Sequence, residues 1–304
     1  MSNRFVVYTV ITGGFDCVRQ PEVVDPRFDY ILFTDAVTSP KIGAWSVREI
    51  GYDCKDLRKK SRYPKIHPEL LLSVYDASLY IDGNVSITSQ FVYDRCVALA
   101  ADRVDWAGIK HQSRDCIYDE MNAIIGLGWV HDYEVLDWYR FLRKEGYPDR
   151  NGMFENNIIF RVHSQAVKQV DDIWWWTLEE RQVKRDQFSL MYAMWKVPEA
   201  KAAYLLSENE NAWHNDGRFN CESHNSHKRF LKKTFWEKLR DRYIRKFYWD
   251  GGWEVFYTHW FDKLLKWPFP HLMMHLWTAW IAVRYDFIFL LNRAWKRLMH
   301  NTEN

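Results

Sequence analysis

Residues 78–84 read Ser-Leu-Tyr-Ile-Asp-Gly-Asn. An apolar run of the kind that forms a buried strand stops abruptly in an acidic turn, Asp82-Gly83-Asn84. Asp82 and Asn84 flank a single glycine, so both side chains can leave a tight turn on the same side. The adjacent phosphates of a diphosphate concentrate negative charge, and a hard divalent cation held by oxygen ligands neutralises it. A strand-end carboxylate with an amide two residues on is a ligand pair for such a cation. Asp, Gly and Asn are also the commonest turn formers, so the surrounding chain decides the meaning.

That chain is 304 residues long, 47% hydrophobic and 27% charged. It is long enough for one large domain, or a domain and an appendage, with a sizeable core. Its first strand-like run, residues 5–11, is short and β-branched, which fits a core strand better than an export signal. Five cysteines, Cys17, Cys54, Cys96, Cys116 and Cys221, are odd in number and widely spaced. They predict neither a disulfide framework nor a cysteine-built zinc site, and so a reducing, cytoplasmic setting.

The net charge of +2 is unevenly spread. Residues 228–300 hold 15 Lys and Arg against 6 Asp and Glu, and eight of the 17 tryptophans. The composition shift places a boundary there, giving a domain over 1–227 and an aromatic, basic region over 228–304.

Within 1–227, strand and helix patterns alternate. Residues 5–11, 30–33, 77–81, 106–109 and 158–162 read as strands, and 133–144, 165–180 and 187–196 as helices. Alternation of this kind predicts an α/β layered domain, in which ligands bind at the carboxyl ends of the strands. Asp82 lies at such an end, as does Thr12-Gly13-Gly14-Phe15-Asp16. No Gly-x-Gly-x-x-Gly and no Gly-Lys-Ser/Thr occurs, which argues against a dinucleotide fold or a P-loop.

Seven strings occur in order along residues 8–189. They are Tyr-Thr-Val-Ile-Thr-Gly-Gly-Phe-Asp (8–16), Phe-Thr-Asp (33–35), Arg-Tyr-Pro-Lys-Ile-His-Pro (62–68) and Tyr-Ile-Asp-Gly-Asn-Val (80–85). His-Gln-Ser-Arg-Asp-Cys-Ile-Tyr-Asp-Glu (111–120), Phe-Glu-Asn-Asn (154–157) and Arg-Asp-Gln-Phe-Ser (185–189) complete the set. In these the chain resembles a family of glycosyltransferase-like proteins, once catalogued as a domain of unknown function, with plant and bacterial members. The resemblance implies a GT-A-like fold, Rossmann-like in its nucleotide-sugar-binding domain, and sugar transfer from a nucleotide donor. It stops short of the aromatic C-terminus. GT-A enzymes hold their metal on an Asp-x-Asp element, so Asn84 is a departure from that form.

Each string has its own chemistry. Thr12, Gly13, Gly14 and Phe15, with Asp35, suit the floor of a base and ribose pocket; two ordinary strand–loop junctions are the alternative. Arg62 and Lys65 suit a diphosphate clamp, the first as a fork and the second as a point charge; the neighbouring Lys55, Arg58, Lys59 and Lys60 equally make a solvated face. His111, Arg114, Asp119 and Glu120 form a polar block after a strand, fitted to acceptor hydroxyls or to a structural ion network. Glu155, Asn156 and Asn157 sit between an aromatic residue and an apolar strand, where polar groups need partners.

Asp186 and Gln187 open a helix. Asp186 suits an N-cap. The resemblance implies instead a catalytic place beneath the anomeric carbon, as base in an inverting transfer or as stabiliser of an oxocarbenium-like state in a retaining one. For the metal, Mn2+ or Mg2+, the expected ligands are Asp82 and Asn84, with His224 or His227 from the loop 207–228.

The C-terminal stretch 236–299 alternates aromatic faces with Lys and Arg. Its longest apolar run, residues 272–283, is too short to span a bilayer, which takes about 20 residues. A basic, Trp-rich amphipathic segment predicts contact with the inner face of an anionic membrane, or packing on the domain or on a second copy. Nucleic-acid binding is disfavoured by the long apolar faces.

Together these features predict a metal-dependent hexosyltransferase, peripheral to the cytoplasmic face of the membrane. Its substrates would be a UDP-linked donor and a surface-polysaccharide, lipopolysaccharide or capsule, or lipid-linked glycan acceptor. Two alternatives stay open: a catalytically silent glycan-binding or scaffold subunit, and a nucleotide-sugar hydrolase or phosphotransferase.

Overall fold

A computed structural model describes residues 4–126, 132–181, 183 and 185–224. The expected helical region over 228–304, its membrane contact and His227 lie outside the described residues. Nearly all of what is described belongs to one compact unit, Met1–Leu127 with Asp137–Phe230.

The chain opens with β1 (Phe5–Ile11), β2 (Phe28–Thr34), β3 (Lys41–Ile42) and β4 (Trp45–Glu49), followed by α1 (Leu57–Ile66) and α2 (Pro68–Leu71). Then come β5 (Ala77–Ile81), β6 (Val85–Ile87), α3 (Gln90–Ala101), β7 (Trp106–Lys110), α4 (Ile117–Gly126) and α5 (Asp132–Glu145). Strand β8 (Phe154–Val162), α6 (Gln165–Glu179), α7 (Gln187–Lys196), β9 (Ala202–Tyr204) and β10 (Phe219–Cys221) complete it.

Eight strands form one mixed sheet in the order β3-β4-β2-β1-β5-β8-β7-β9, and β10 pairs with β6 in a second, two-stranded sheet. All seven residues of β1 are buried. A β-branched strand paired in parallel on both sides, by β2 and β5, is the pattern expected where both faces of a sheet are covered. Beyond β5, β8 lies antiparallel between β5 and β7, and β9 pairs parallel with β7 at the edge. The α/β layered class read from the sequence is the class the chain adopts.

The helices are bounded by local chemistry. Asp56 caps α1, accepting from the amides of Arg58 and Lys59, and Ser89 and Ser164 cap α3 and α6. Helix α1 ends at Ile66, and Pro68 at the first position of α2 restarts the chain in a new direction. Strand β8 begins four residues earlier than expected and takes in Glu155-Asn156-Asn157. It does so irregularly: Gly108 faces Ile159 while the next residue, Ile109, faces Glu155. Asn156, Asn157 and Ile158 bulge out of the pairing with β7, so two of the three polar residues leave the register within a buried strand.

Candidate functional site

The site is organised by the end of α1. Arg161, fully buried on β8, bonds Asp171 of α6 at 2.9 Å and the Ile66 carbonyl at 3.3 Å, and also donates to the Lys65 carbonyl and the Tyr8 hydroxyl. A cation on the last carbonyls of a helix satisfies acceptors that have no partner within the helix, and it complements the helix dipole. These contacts fix the backbone of Lys65, whose side chain then reaches the strand ends.

Lys65 is 9% exposed in its side chain, and its ammonium lies 2.9 Å from Asp186 Oδ2 and 3.4 Å from Asp82 Oδ1. Arg62, one turn back on α1, approaches Asp186 Oδ1 at 3.5 Å. Asp186 does not cap α7: its backbone is helical and its carboxylate makes no cap bond. Burial would raise its pKa, but the charges of Lys65 and Arg62 outweigh burial and hold it well below the usual carboxylate range. Burial pushes Arg62 down from its ordinary value, against the pull of Asp186. The Tyr80 hydroxyl donates to Asp82 Oδ1 at 2.5 Å, and burial followed by the Asp82 charge keeps the phenol protonated. Two carboxylates and two cations, from three elements, thus meet at the carboxyl end of β5.

The glycine loop after β1 is held in a turn that favours glycine. Gly13 and Gly14 both have positive φ, 59° and 61°, a region that costs other residues about 1–2 kcal/mol. The Gly13 amide donates to both oxygens of Asp35 at 3.0 Å, so the two expected donor-binding segments do touch. Thr12 hydrogen-bonds the Leu57 carbonyl, and Phe15 is 44% exposed, its ring 5.2 Å from that of His224.

The turn Asp82-Gly83-Asn84 packs tightly. A Cβ on Gly83 would lie 3.0 Å from Ile11 and 3.3 Å from Asp16, so only glycine fits there without displacement. Asn84 Nδ2 donates to the Glu222 carbonyl at 2.6 Å, while its Oδ1 is buried with no hydrogen-bond partner among the described residues. His224 Nδ1 lies 2.9 Å from Asp16 Oδ2.

The donor set is tested by these positions. A quarter-exposed Asp82 carboxylate and an orphaned Asn84 amide oxygen are hard-cation ligands, and they fit Mn2+ or Mg2+. Asp82 is not part of any cluster of three His, Cys, Asp or Glu ligand atoms among the described residues. Further ligands would therefore have to come from substrate phosphates and water, as is common for Mg2+. His224 is placed beside Asp16 rather than brought into such a cluster with Asp82.

The polar block after β7 forms a network. Glu120, 1% exposed, accepts from Arg114 and, at 3.2 Å, from Arg185, with His111 Nε2 3.7 Å away. Burial, then Arg114 and Arg185, push His111 down to about 4, so its ring is neutral at pH 7. Gln187 Oε1 accepts from Arg185, which ties the second expected catalytic residue to this network rather than to Lys65. Asp119 lies in the first turn of α4. Glu155 accepts from the amides of Gln112 and Ala212 and is pushed upward by burial. Asn156 is 4% exposed, and neither side-chain polar atom has a partner among the described residues.

Arg161, Tyr8, Tyr80, Asp16 and Arg185 belong to this constellation although sequence reasoning gave none of them a role of its own; all but Arg161 lie in the quoted strings. Arg161 carried one signal, a charge inside the apolar run Ile158-Ile159-Phe160-Arg161-Val162. A buried cation needs a carboxylate, and Asp171 is ten residues on.

No family model matches the chain, and no curated protein matches it. Among solved structures, the apo form of the bifunctional glycosyltransferase WbbM is 12% identical, with a TM-score of 0.39, over 67% of this chain. The chain spans 39% of that protein's length. Core-mannan synthase A of Aspergillus fumigatus, in an Mn/GDP form, is 10% identical with a TM-score of 0.42, over 80% of this chain and 84% of that one. Both likenesses are distant.

Proposed function

We propose that this chain is a GT-A-like glycosyltransferase acting on a nucleotide-diphosphate sugar, UDP-linked, and a surface-glycan or lipid-linked acceptor. The observation that carries the reading is Lys65 joining the Asp186 and Asp82 carboxylates at the carboxyl end of the central strands, the place where open α/β sheets bind ligands.

A donor diphosphate would compete with Asp186 for Lys65 and Arg62. As those cations turn to phosphate, Asp186 loses the charges that hold its pKa down and becomes more basic, while burial keeps water away. In an inverting transfer, Asp186 accepts the proton of the acceptor hydroxyl. The oxygen forms its bond to the anomeric carbon as the bond to phosphate breaks, and the diphosphate leaves with that electron pair, stabilised by Lys65 and Arg62. In a retaining transfer the same carboxylate stabilises the positive charge on the sugar. A divalent cation held by Asp82 and Asn84 would supply charge neutralisation for the diphosphate. The glycine loop and Asp35 suit the nucleoside, and Asn156, whose side chain has no partner among the described residues, suits sugar hydroxyls together with His111 and Glu155.

Among the described residues no helix is long and apolar enough to cross a membrane. Peripheral contact through residues 236–299 rests on their basic, Trp-rich sequence and is tested by flotation of the full chain with anionic vesicles.

The deciding experiment is thermal stability with nucleotide sugars, in Mn2+ and in EDTA, on wild type and Asp82→Ala. At 100 times its dissociation constant a ligand stabilises by about 2.7 kcal/mol. A metal-dependent shift lost in Asp82→Ala, with slow sugar release to water, supports transfer. A shift without turnover points to a glycan-binding subunit, and no shift with any donor sinks the proposal.

A further inference from the structure

Outside the site above, the loop joining α1 to α2 brings a second group of ligand-type side chains to α6. One ligand atom from each of His67, Glu69 and Asp172 lies within 4.8 Å of the other two. We infer that His67, Glu69 and Asp172 form a second divalent-cation site, one that fastens the α1–α2 junction to α6.

Three observations support it. His67 Nδ1 and Glu69 Oε1 are 3.3 Å apart. Two ligands each about 2.1 Å from one metal, at tetrahedral or octahedral angles, are separated by roughly 3.0–3.4 Å. The pair is therefore already spaced as neighbouring ligands. Second, the Glu69 side chain is only 9% exposed, and its Oε2 is buried with no hydrogen-bond partner among the described residues. A buried carboxylate oxygen left unsatisfied is costly, and a cation would satisfy it. Third, the site has an adjustable arm. Asp172, half exposed, pairs with Lys168 at 2.5 Å, and Asp172 can rotate inward at little cost because it lies at the surface.

The imidazole is packed against two rings: the Trp175 ring of α6 lies edge-on at 5.4 Å, and the Tyr63 ring of α1, itself 5.4 Å from Trp175, is 5.3 Å away. One imidazole with two carboxylates selects Zn2+, Co2+ or Mn2+ over Ca2+ or Mg2+. His67 follows Lys65 by two residues, so a cation here would brace the helix end that carries the proposed phosphate clamp. The inference does not depend on the identity of the donor, nor on the chain being a transferase.

The test uses Co2+ on the full chain carrying Asp82→Ala, which removes the proposed phosphate-site metal, and reads visible ligand-field absorption. One equivalent is expected to bind, with bands showing nitrogen coordination, and Zn2+ should displace it. Asp172→Asn, at a half-exposed position, should weaken Co2+ at least tenfold while leaving the circular dichroism unchanged. Lys168→Gln should tighten it several-fold by removing the competing ammonium. Affinity indifferent to Asp172→Asn, or no Co2+ binding by folded Lys168→Gln protein, overturns the inference.

Discussion

Lys65 Nζ lies 2.9 Å from Asp186 Oδ2, joining a helix begun by Arg-Asp-Gln to a helix that ends 121 residues earlier in the chain. The ammonium and the carboxylate are both largely buried, and Arg62 is the second cation on the same acid.

Lys65→Met should therefore destabilise the fold. Removing one partner of a buried pair costs roughly 3–5 kcal/mol, and Arg62 offsets part of that, so about 2–3 kcal/mol is expected at pH 7 by urea unfolding. The pH dependence has a definite sign. The folded pKa of Asp186 is depressed, so its contribution is present above the unfolded value, near 3.8, and is lost as pH falls further. The gap between wild type and Lys65→Met should be constant from pH 7 to 5 and narrow below 4. A gap unchanged at pH 3 would show that Lys65 contributes by packing alone.

Two histidines govern stability in a higher range. His163 Nδ1 contacts the Tyr75 carbonyl and Nε2 the Ser78 hydroxyl, each at 2.9 Å. A neutral ring satisfies both, with Nδ1–H donating to the carbonyl and Nε2 accepting from the hydroxyl. Burial first, then the Arg161 charge, push His163 down to about 4; His111 is likewise near 4. The unfolded chain, titrating near 6.5, binds more protons between those values, so stability falls as pH drops from 6.5 to 4. Each histidine should cost about 1–2 kcal/mol at pH 5 relative to pH 7.5. His111→Gln should show a flatter stability profile over this window; a slope equal to wild type would contradict the assignment.

The two loop glycines should behave differently. A Cβ at Gly13 would fall 2.7 Å from Leu57 Cδ1, whereas at Gly14 nothing lies within 4 Å. Gly14→Ala should cost only the conformational term, about 1 kcal/mol. Gly13→Ala should cost roughly 2 kcal/mol and also disturb the amide that holds Asp35. Nucleotide affinity, measured by titration calorimetry, should fall with Gly13→Ala and stay near wild type with Gly14→Ala.

What the sequence revealed follows a physical division. Period and apolar runs report burial on both faces, so 5–11 and 77–81 were legible to the residue as β1 and β5. Glu155-Asn156-Asn157 misled because a polar triplet breaks the run, and only the bulge opposite Gly108 and Ile109 lets the strand continue through it. Strands β3, β9 and β10, two or three residues each, are too short for any period to show. In the site, Asp82, Lys65, Arg62 and Asp186 were each legible as chemistry, but not as partners, because three separate elements bring them together. Asp186 shows why most clearly: local preference favours a cap, and the tertiary field of Lys65 and Arg62 overrides it. Arg161 places Lys65 entirely through backbone carbonyls, a contact that leaves no trace in residue type.

Asp186→Asn separates chemistry from binding. The amide keeps the shape of the side chain but cannot accept a full proton, nor stabilise developing positive charge as a carboxylate does. Loss of a general base removes about 10²–10⁴ in rate, and a fall of that order is expected in turnover, whether the carboxylate acts as base or as stabiliser. Binding should move the other way. Asp186 neutralises Lys65 and Arg62 in the ligand-free protein, and a diphosphate has to compete with it. With the charge removed, both cations are left to the phosphates, so the donor should bind as tightly as in wild type or more tightly, and with a steeper dependence on salt. Lys65→Met is the complementary control, because it should weaken the donor severalfold or more. Turnover by rapid-quench single-turnover kinetics and affinity by calorimetry, on the same preparations, decide the matter. A slow Asp186→Asn enzyme with unchanged or improved affinity assigns the carboxylate to the reacting centre. A variant that loses affinity along with rate would place Asp186 in the binding of the sugar instead.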